Sequence, residues 1–347
     1  MTAKQKTYDV GFILGRFSPL HSGHRELIRQ AKKRCSTLII FVGSANLPRS
    51  IKNPWTFQER ADQLTQFIQH EGLSKSGVDQ WTYKPIEPSV VIVPLNDYKY
   101  SDAQWRNDVR QYMYRFNGQS ISLFGHMKEG NDYLDWFPEF DFNNIETGIP
   151  LNATGIREAM LATRDSRMPK EVQEDYDYFC KEAGLFANYP FPETLNFNCA
   201  DAILECAGQV VLIQRKVAPG AGTWALPGGF KNNTESFLDC AIRELHEETG
   251  VKVPEKVLRG SIVSTKLFDD PKRGNGIPRN TLAVHMRIKP NPDGTMPKIK
   301  GADDALEARW VTIQEALNEY TMFDDHAGIL MEMTGSMPIP AYLNERF

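Results

Sequence analysis

Cysteine is scarce in this chain and forms no pattern. There are five residues, Cys35, Cys180, Cys199, Cys206 and Cys240, an odd number with no Cys-x-x-Cys pair. That argues against a disulfide framework and a zinc ribbon, and it fits a reducing, cytoplasmic setting. Long hydrophobic runs are missing too: nothing approaches the roughly 20 apolar residues that span a bilayer, so no membrane partner is expected. The opening residues are polar and hold no secretory apolar core. Dense Lys/Arg blocks are absent and the net charge is −4, which argues against nucleic acid as a partner. There is no internal repeat and no low-complexity stretch. What remains is an ordinary soluble composition, 41% hydrophobic and 24% charged over 347 residues, long enough for two cores. A homo-oligomer stays open.

The most informative stretch runs from Gly229 to Val251. Glu235 follows Gly229 after five residues, and Arg243-Glu244-Leu245-His246-Glu247-Glu248-Thr249-Gly250-Val251 follows after seven more. On a helix, Glu244, Glu247 and Glu248 share one face, being i, i+3 and i+4. Leu238, Ala241, Ile242 and Leu245 form the opposite, core-facing stripe. A solvated acidic helix is the plain alternative, and it is energetically tolerable. Seven fixed positions, however, match by chance with a probability below about 10⁻⁸ per window. Three crowded carboxylates suit a hydrated, oxygen-preferring cation such as magnesium, with manganese as the alternative.

This spacing resembles the Nudix hydrolase signature. The resemblance implies an α/β/α sandwich and metal-assisted attack of water on a diphosphate. Glu244, Glu247 and Glu248, with Gly229, are then the metal site, Glu247 and Glu248 also being catalytic. Glu235 and Arg243 pair to hold the loop against the helix. The general base stays open among Glu244, Glu247, Glu248, Asp269, Asp304 and Glu307.

Earlier in the chain, Asp9–Leu14 reads as a buried strand. Gly15-Arg16-Phe17-Ser18-Pro19-Leu20-His21-Ser22-Gly23-His24 then leads into a helical pattern that Ser22 can cap. A strand, a glycine-containing turn and a helix N-terminus make an anion site. A lone histidine is more often a satisfied surface residue, but two imidazoles one turn apart add donors to this site. The arrangement resembles the His-x-Gly-His motif of the nucleotidyltransferase superfamily, in which the histidines stabilise the phosphates of ATP. By that resemblance His21 and His24 are catalytic, and Gly15, Arg16 and Gly23 contact substrate.

A strand at Leu38–Val42 ends in Gly43-Ser44-Ala45, and Asn53-Pro54-Trp55-Thr56-Phe57-Gln58-Glu59-Arg60 opens a helix. Together they look like the archaeal-type nicotinamide mononucleotide (NMN) adenylyltransferases, which implicates Asn53 and Trp55. A capping and core role for the same stretch is the alternative. A helix around Asp102–Phe116 carries Trp105, which is either core or stacks on the nicotinamide ring. Ser120–Phe124 is a fourth strand, with His126, Lys128 and Glu129 at the end where open parallel sheets bind ligands. Leu151-Asn152-Ala153-Thr154-Gly155-Ile156-Arg157 stands where the superfamily has its second phosphate motif. Thr154 is expected to cap a helix and contact substrate, and Arg157 to be catalytic; Asn152 and Ala153 depart from the pattern. Alternating strands and helices imply an α/β, Rossmann-like, doubly wound nucleotidyltransferase domain, followed by the Nudix sandwich.

The boundaries expected are 1–184 for the first domain, a proline-bearing linker at 185–195, and 196–347 for the second. A helix at Pro169–Ala183 packs back on the first domain, and a piece starting near Glu193 folds alone. Within the second half, Cys199–Cys206 and Gln209–Lys216 pair around Ala207-Gly208. Strands follow at Val257–Phe268 and Thr281–Ile288. Between them a Gly/Pro-rich basic loop offers Lys272, Arg273 and Arg279 to a diphosphate; an exposed hairpin loop is the plain alternative. Nearly the whole chain resembles bifunctional NMN adenylyltransferase/ADP-ribose pyrophosphatases. The resemblance implies ATP, NMN, NAD and ADP-ribose as small-molecule partners. The rivals are a transferase of pantetheine-phosphate or cytidylyl type joined to a different hydrolase, or a Nudix-like half that only senses ADP-ribose.

Overall fold

The computed structural model describes residues 7–74, 89–126, 136–149, 152–190, 195–271, 273–274 and 276–346. Lys128, Glu129, Leu151 and Lys272 lie outside them. Backbone contacts divide the chain into two compact units. One comprises Met1–Leu47, Asn53–Asp165 and Pro340–Phe347, the other Pro48–Lys52 and Ser166–Ile339. No helix among the described residues is long and apolar enough to cross a membrane.

In the first unit the elements run β1 (Tyr8–Gly15), α1 (Ser22–Lys32), β2 (Cys35–Val42), α2 (Phe57–His70), β3 (Val90–Pro94), α3 (Asp102–Met113), β4 (Ile121–Gly125), β5 (Asp141–Asn144) and α4 (Ala153–Ala162). The sheet is wholly parallel, in the order β3-β2-β1-β4-β5. Its central strands are near-continuous apolar runs because both faces are covered. Ile13, Leu38 and Ile40 pack with Ile28 and Leu64 on one side. Phe12, Ile39 and Phe41 pack with Val109, Met113 and Phe137 on the other. The order reverses between β1 and β4, and such a switch point leaves a crevice beyond the strands' C-terminal ends.

β5 was not read from the sequence, because Asp141-Phe142-Asn143-Asn144 has no apolar alternation. Polar side chains hold it instead. Asn143 Nδ2 donates to Tyr8 Oη at 3.0 Å and to Ser122 Oγ at 2.9 Å, and Ser122 Oγ donates to Asp141 O at 3.0 Å. Pro340 onward also returns here: Tyr342 packs edge-to-face on Tyr112, and its hydroxyl donates to Gln111 Oε1 at 3.1 Å.

The second unit begins with α5 (Lys170–Leu185), then β6 (Phe197–Cys206), β7 (Gln209–Arg215), β8 (Trp224–Ala225), β9 (Gly228–Phe230), α6 (Phe237–Thr249), α7 (Glu255–Gly260), β10 (Ile262–Phe268), β11 (Arg279–Ile288), β12 (Ala305–Thr312), α8 (Ile313–Asn318) and α9 (His326–Thr334). The mixed sheet has the order β10-β11-β6-β7-β12, with β8 paired to β7 and β9 to β6. β6 and β7 form the expected hairpin, with Ala207 and Gly208 both at positive φ. The apolar stripe of α6, Ala241, Ile242 and Leu245, packs on Ala200, Ala202 and Leu204 of β6. Glu255–Gly260 is a helix rather than the start of a strand, as Pro254 at its entry permits. α5 groups with this unit and not with the first: Asp175, Phe179 and Glu182 on one of its faces meet the loops after β7 and before β11.

Candidate active sites

The loop after β1 and the start of α4 enclose a cavity of about 490 Å³ in the first unit. Arg16, His21, Gly23, His24, Thr154 and Arg157 all line it, as does His126 from the end of β4. The imidazoles of His21 and His24 are stacked, with ring centroids 3.7 Å apart and planes 22° apart. A Cβ on residue 23 would come within 3.1 Å of the His21 ring, so Gly23 makes room for an imidazole rather than only for a ligand. His21, not Ser22, is the N-cap of α1, and it is extended without a side-chain cap bond. Its ring is therefore not spent on the helix end, whose N–H groups favour an anion.

Arg157 is buried on α4. It donates to Ser18 O at 2.7 Å and to Thr154 Oγ1 at 3.1 Å. Burial, and then the Arg16 guanidinium nearby, hold its pKa below the usual arginine range. Such cations are relieved by a phosphate, to which guanidinium geometry is suited. Ser18 Oγ, also in the cavity lining, is buried and makes no hydrogen bond among the described residues. Asn152 rather than Thr154 caps α4, accepting from Gly155 N at 2.7 Å. The departure from the superfamily pattern thus supplies the cap, and Thr154 stands in the first turn where it meets Arg157.

In the second stretch of the first unit, Thr56, Glu59 and Arg60 hold a helix end and two loops. Thr56 and Glu59 form a capping box on α2. Arg60 is fully buried and donates to Thr56 O, Arg16 O, Gly43 O and Ser44 O at 3.1, 2.8, 2.7 and 3.0 Å. It ties the loop after β1 to the loop after β2. Asn53 and Trp55 are buried, at 2% and 7% exposure, and do not line the histidine cavity. Gly15 is absent from the lining too; a Cβ there would press on the Phe17 ring at 3.0 Å. Trp105 is half-buried against Trp136 and Phe137 and also stands outside that cavity.

In the second unit, Arg243 organises the acidic face of α6. It donates twice to Glu235, at 3.0 and 2.7 Å, and once each to Glu244 and Glu247 at 2.8 Å. It also reaches Phe230 O at 3.1 Å, so the loop is clamped to the helix. The guanidinium holds the Glu235 carboxyl down at about 2. Glu248 is buried and accepts from Gly228 N at 2.9 Å; burial pushes it up to about 8, and burial raises Glu244 as well. A Cβ on residue 229 would come 2.4 Å from the Glu244 carboxylate, which explains the glycine. Gly229 O faces Cys240 Sγ at 3.7 Å.

These oxygen donors, two of them desolvated, suit a hard divalent cation in kind. Arg243 engages Glu244 and Glu247, and no group of three His, Cys, Asp or Glu side chains among the described residues stands in ligating geometry. Glu244 and Glu248 meet Gly229 and Gly228, which also line a neighbouring cavity of about 130 Å³.

Arg273 and Arg279 both line that cavity. Each is already engaged by protein. Arg273 donates to Asp325 at 2.8 Å and lies 3.8 Å from Asp201. Arg279 pairs with Glu182 and sits over the rings of Phe179, Phe197 and Phe230. Sequence reasoning missed Asp201, Arg215, His326 and the α5 residues Tyr178 and Phe179, all in the lining. Asp201 had a signal, being one of two carboxylates in the otherwise apolar stretch from Ala200 to Cys206. His326 accepts from Leu226 N at Nδ1, 3.0 Å away, so in its neutral form Nε2 carries the proton.

A NUDIX domain model matches residues 197–333, and a cytidylyltransferase-like model matches residues 12–128. The nicotinamide/nicotinic acid mononucleotide adenylyltransferase of Acinetobacter baylyi is 29% identical over 191 residues, covering 49% of this chain and 94% of its own length. Among solved structures, a bifunctional NMN adenylyltransferase/ADP ribose pyrophosphatase from Francisella tularensis superposes with a TM-score of 0.80. It is 27% identical and covers 95% of this chain and 99% of its own. The same protein complexed with AMP and a manganese ion gives 0.79, at the same identity and coverage.

Proposed function

Since the chain belongs to the family that joins a cytidylyltransferase-like domain to a NUDIX domain, we propose that it is a bifunctional enzyme of NAD metabolism. The first site transfers the adenylyl group of ATP to nicotinamide mononucleotide, giving NAD and pyrophosphate. The second hydrolyses ADP-ribose to AMP and ribose 5-phosphate. The observation that carries this reading is spatial: His21, His24, Arg16 and Arg157 share one cavity, and Glu244 and Glu247 share Arg243 on one face of α6 beside Glu248.

In the transferase the mononucleotide's phosphate oxygen attacks the α-phosphorus of ATP and pyrophosphate leaves. His21, His24 and the α1 N-terminus donate to the leaving phosphates, with Arg157 and Arg16 beside them. Little covalent work falls to the protein, so positioning and charge stabilisation carry the rate. Trp105 is proposed to stack on the nicotinamide ring. In the hydrolase Arg243 orients Glu244 and Glu247, while Gly228 N–H orients Glu248. A divalent cation, magnesium in our reading, supplies charge neutralisation and an activated water when Glu244, Glu247 and Glu248 hold it. Arg273 and Arg279 shape the wall that receives the diphosphate. The five free thiols support a reducing, cytoplasmic setting.

The test is direct. The full chain is incubated with magnesium and ADP-ribose, and separately with magnesium, ATP and nicotinamide mononucleotide, and products are separated chromatographically. AMP with ribose 5-phosphate, and NAD with pyrophosphate, are expected. An inert first mixture removes the hydrolase assignment, and an inert second removes the transferase.

A further inference from the structure

α5 ends before the stretch that the NUDIX model matches, 197–333, yet two of its side chains, Tyr178 and Phe179, line the hydrolase cavity. Positions 175, 178, 179 and 182 recur at i, i+3, i+4 and i+7, which places them on one helical face. Three of the four dock that face on the second unit. Asp175 accepts from Gly220 N at 3.0 Å. Phe179 lies under the Arg279 guanidinium, 5.6 Å from ring centroid to carbon, and it fills the space beside Gly276, where a Cβ would come 2.6 Å from the ring. Glu182 pairs with Arg279.

Tyr178 is different. It packs edge-to-face on Phe179 at 5.4 Å, stays half-buried, and turns to the cavity. Its hydroxyl makes no hydrogen bond to any described residue. The same cavity is lined by Arg215, stacked on Phe323 at 4.2 Å and held through Nε to Pro219 O at 2.8 Å. Its charge interacts with both Tyr178 and Glu248. An aromatic face with a phenol, next to a desolvated guanidinium, matches a nucleoside 5′-phosphate: ring against ring, phosphate toward Arg.

We propose that α5 is a wall of the hydrolase site and that Tyr178 is a specificity-determining contact for the nucleoside-monophosphate half of the substrate. Asp175, Phe179 and Glu182 are positioning residues that hold the helix in place. The inference rests on the ADP-ribose reading above.

The test uses the full chain with magnesium. Steady-state hydrolysis of ADP-ribose is measured for the wild type, Tyr178→Ala and Tyr178→Phe. Losing the ring is expected to raise KM about five- to tenfold, with kcat falling by less; Tyr178→Phe recovers most of the ring's share. In parallel, amide hydrogen exchange of the wild type is followed with and without AMP, and added protection is expected in residues 170–185. An unchanged KM in Tyr178→Ala, a loss of kcat alone, or unaltered exchange across α5 overturns the proposal. If Tyr178→Ala does not fold, exchange in the wild type decides alone. A wild type that hydrolyses ADP-ribose while α5 stays indifferent sinks only this inference. A wild type that leaves ADP-ribose intact sinks the hydrolase reading and the inference with it.

Discussion

The two sites handle charge in opposite ways. Around His21 and His24 the cations are anchored on uncharged oxygens: Arg157 on Ser18 O and Thr154 Oγ1, and Arg60, beneath the loop, on four carbonyls. On α6 the carboxylates are anchored on charge, with Glu235, Glu244 and Glu247 sharing one guanidinium. In the proposed reading the first site keeps its positive charge for phosphate. The second holds its negative charge in register through Arg243, while backbone N–H groups add to the hold on Glu235 and, without the guanidinium, on Glu248. The lesson is that a phosphate-binding loop needs a neutral scaffold, whereas a crowded acidic face needs a built-in counterion before any metal arrives.

The widest separation between the sites is expected from His24→Ala. Removing one donor to charge that develops on the phosphates should slow NAD synthesis by about 10²–10³, while ADP-ribose hydrolysis in the same preparation stays near wild type. Loss of both reactions in a protein that still unfolds cooperatively would show one composite site and end the comparison. Glu247→Gln is the mirror. It keeps volume and the polar face of α6, so hydrolysis should fall by about 10² with NAD synthesis unaltered. Full hydrolysis in that variant removes Glu247 from the metal site.

Arg60→Met sharpens the contrast from the scaffold side. It leaves buried carbonyls without their donor, at about 1–3 kcal/mol each. Denaturant unfolding of the first unit should shift to lower concentration while that of the second does not. A stability change under about 0.5 kcal/mol would mean that the loops do not depend on this guanidinium. Trp105→Ala carries the smallest effect. If the ring stacks on the mononucleotide, KM for that substrate rises by roughly the 0.5–1.5 kcal/mol of an aromatic contact and KM for ATP holds. Equal changes in both assign Trp105 to the aromatic packing with Trp136 and Phe137.

Much of this was legible in the sequence, and the failures have physical causes. The apolar runs of β1 and β2, the hairpin at Ala207-Gly208 and the stripe of α6 carry their periodicity openly. β5 does not, because hydrogen bonds from Ser122 and Tyr8 replace apolar burial. Thr154 and Asn152 are both good cap residues, and the extended backbone of residue 152 with its side-chain bond to Gly155 N decides between them. Asn53 and Trp55 stand in a motif that reads as substrate-binding, yet burial takes them out of the histidine cavity. The prolines that follow α5 put it with the first domain in the sequence. Backbone contacts group it with the second unit instead, and the face bearing Asp175, Phe179 and Glu182 meets loops that are distant in sequence. A piece beginning near Glu193 lacks the α5 cover of Arg279, so a piece that begins before α5 is expected to be the more stable of the two. Arg215 and Tyr178 gave no local signal; only the register of β7 and the docking of α5 bring them to one cavity.

The return of residues 340–346 to the first unit has a consequence for synthesis. Tyr342, which packs on Tyr112 and bonds Gln111, leaves the ribosome only after every residue of the second unit. The transferase, first to be translated, is completed after the hydrolase. A premature stop near codon 339 would be felt in the N-terminal catalyst, and a tag appended beyond Tyr342 reports on the folding of the opposite end of the gene.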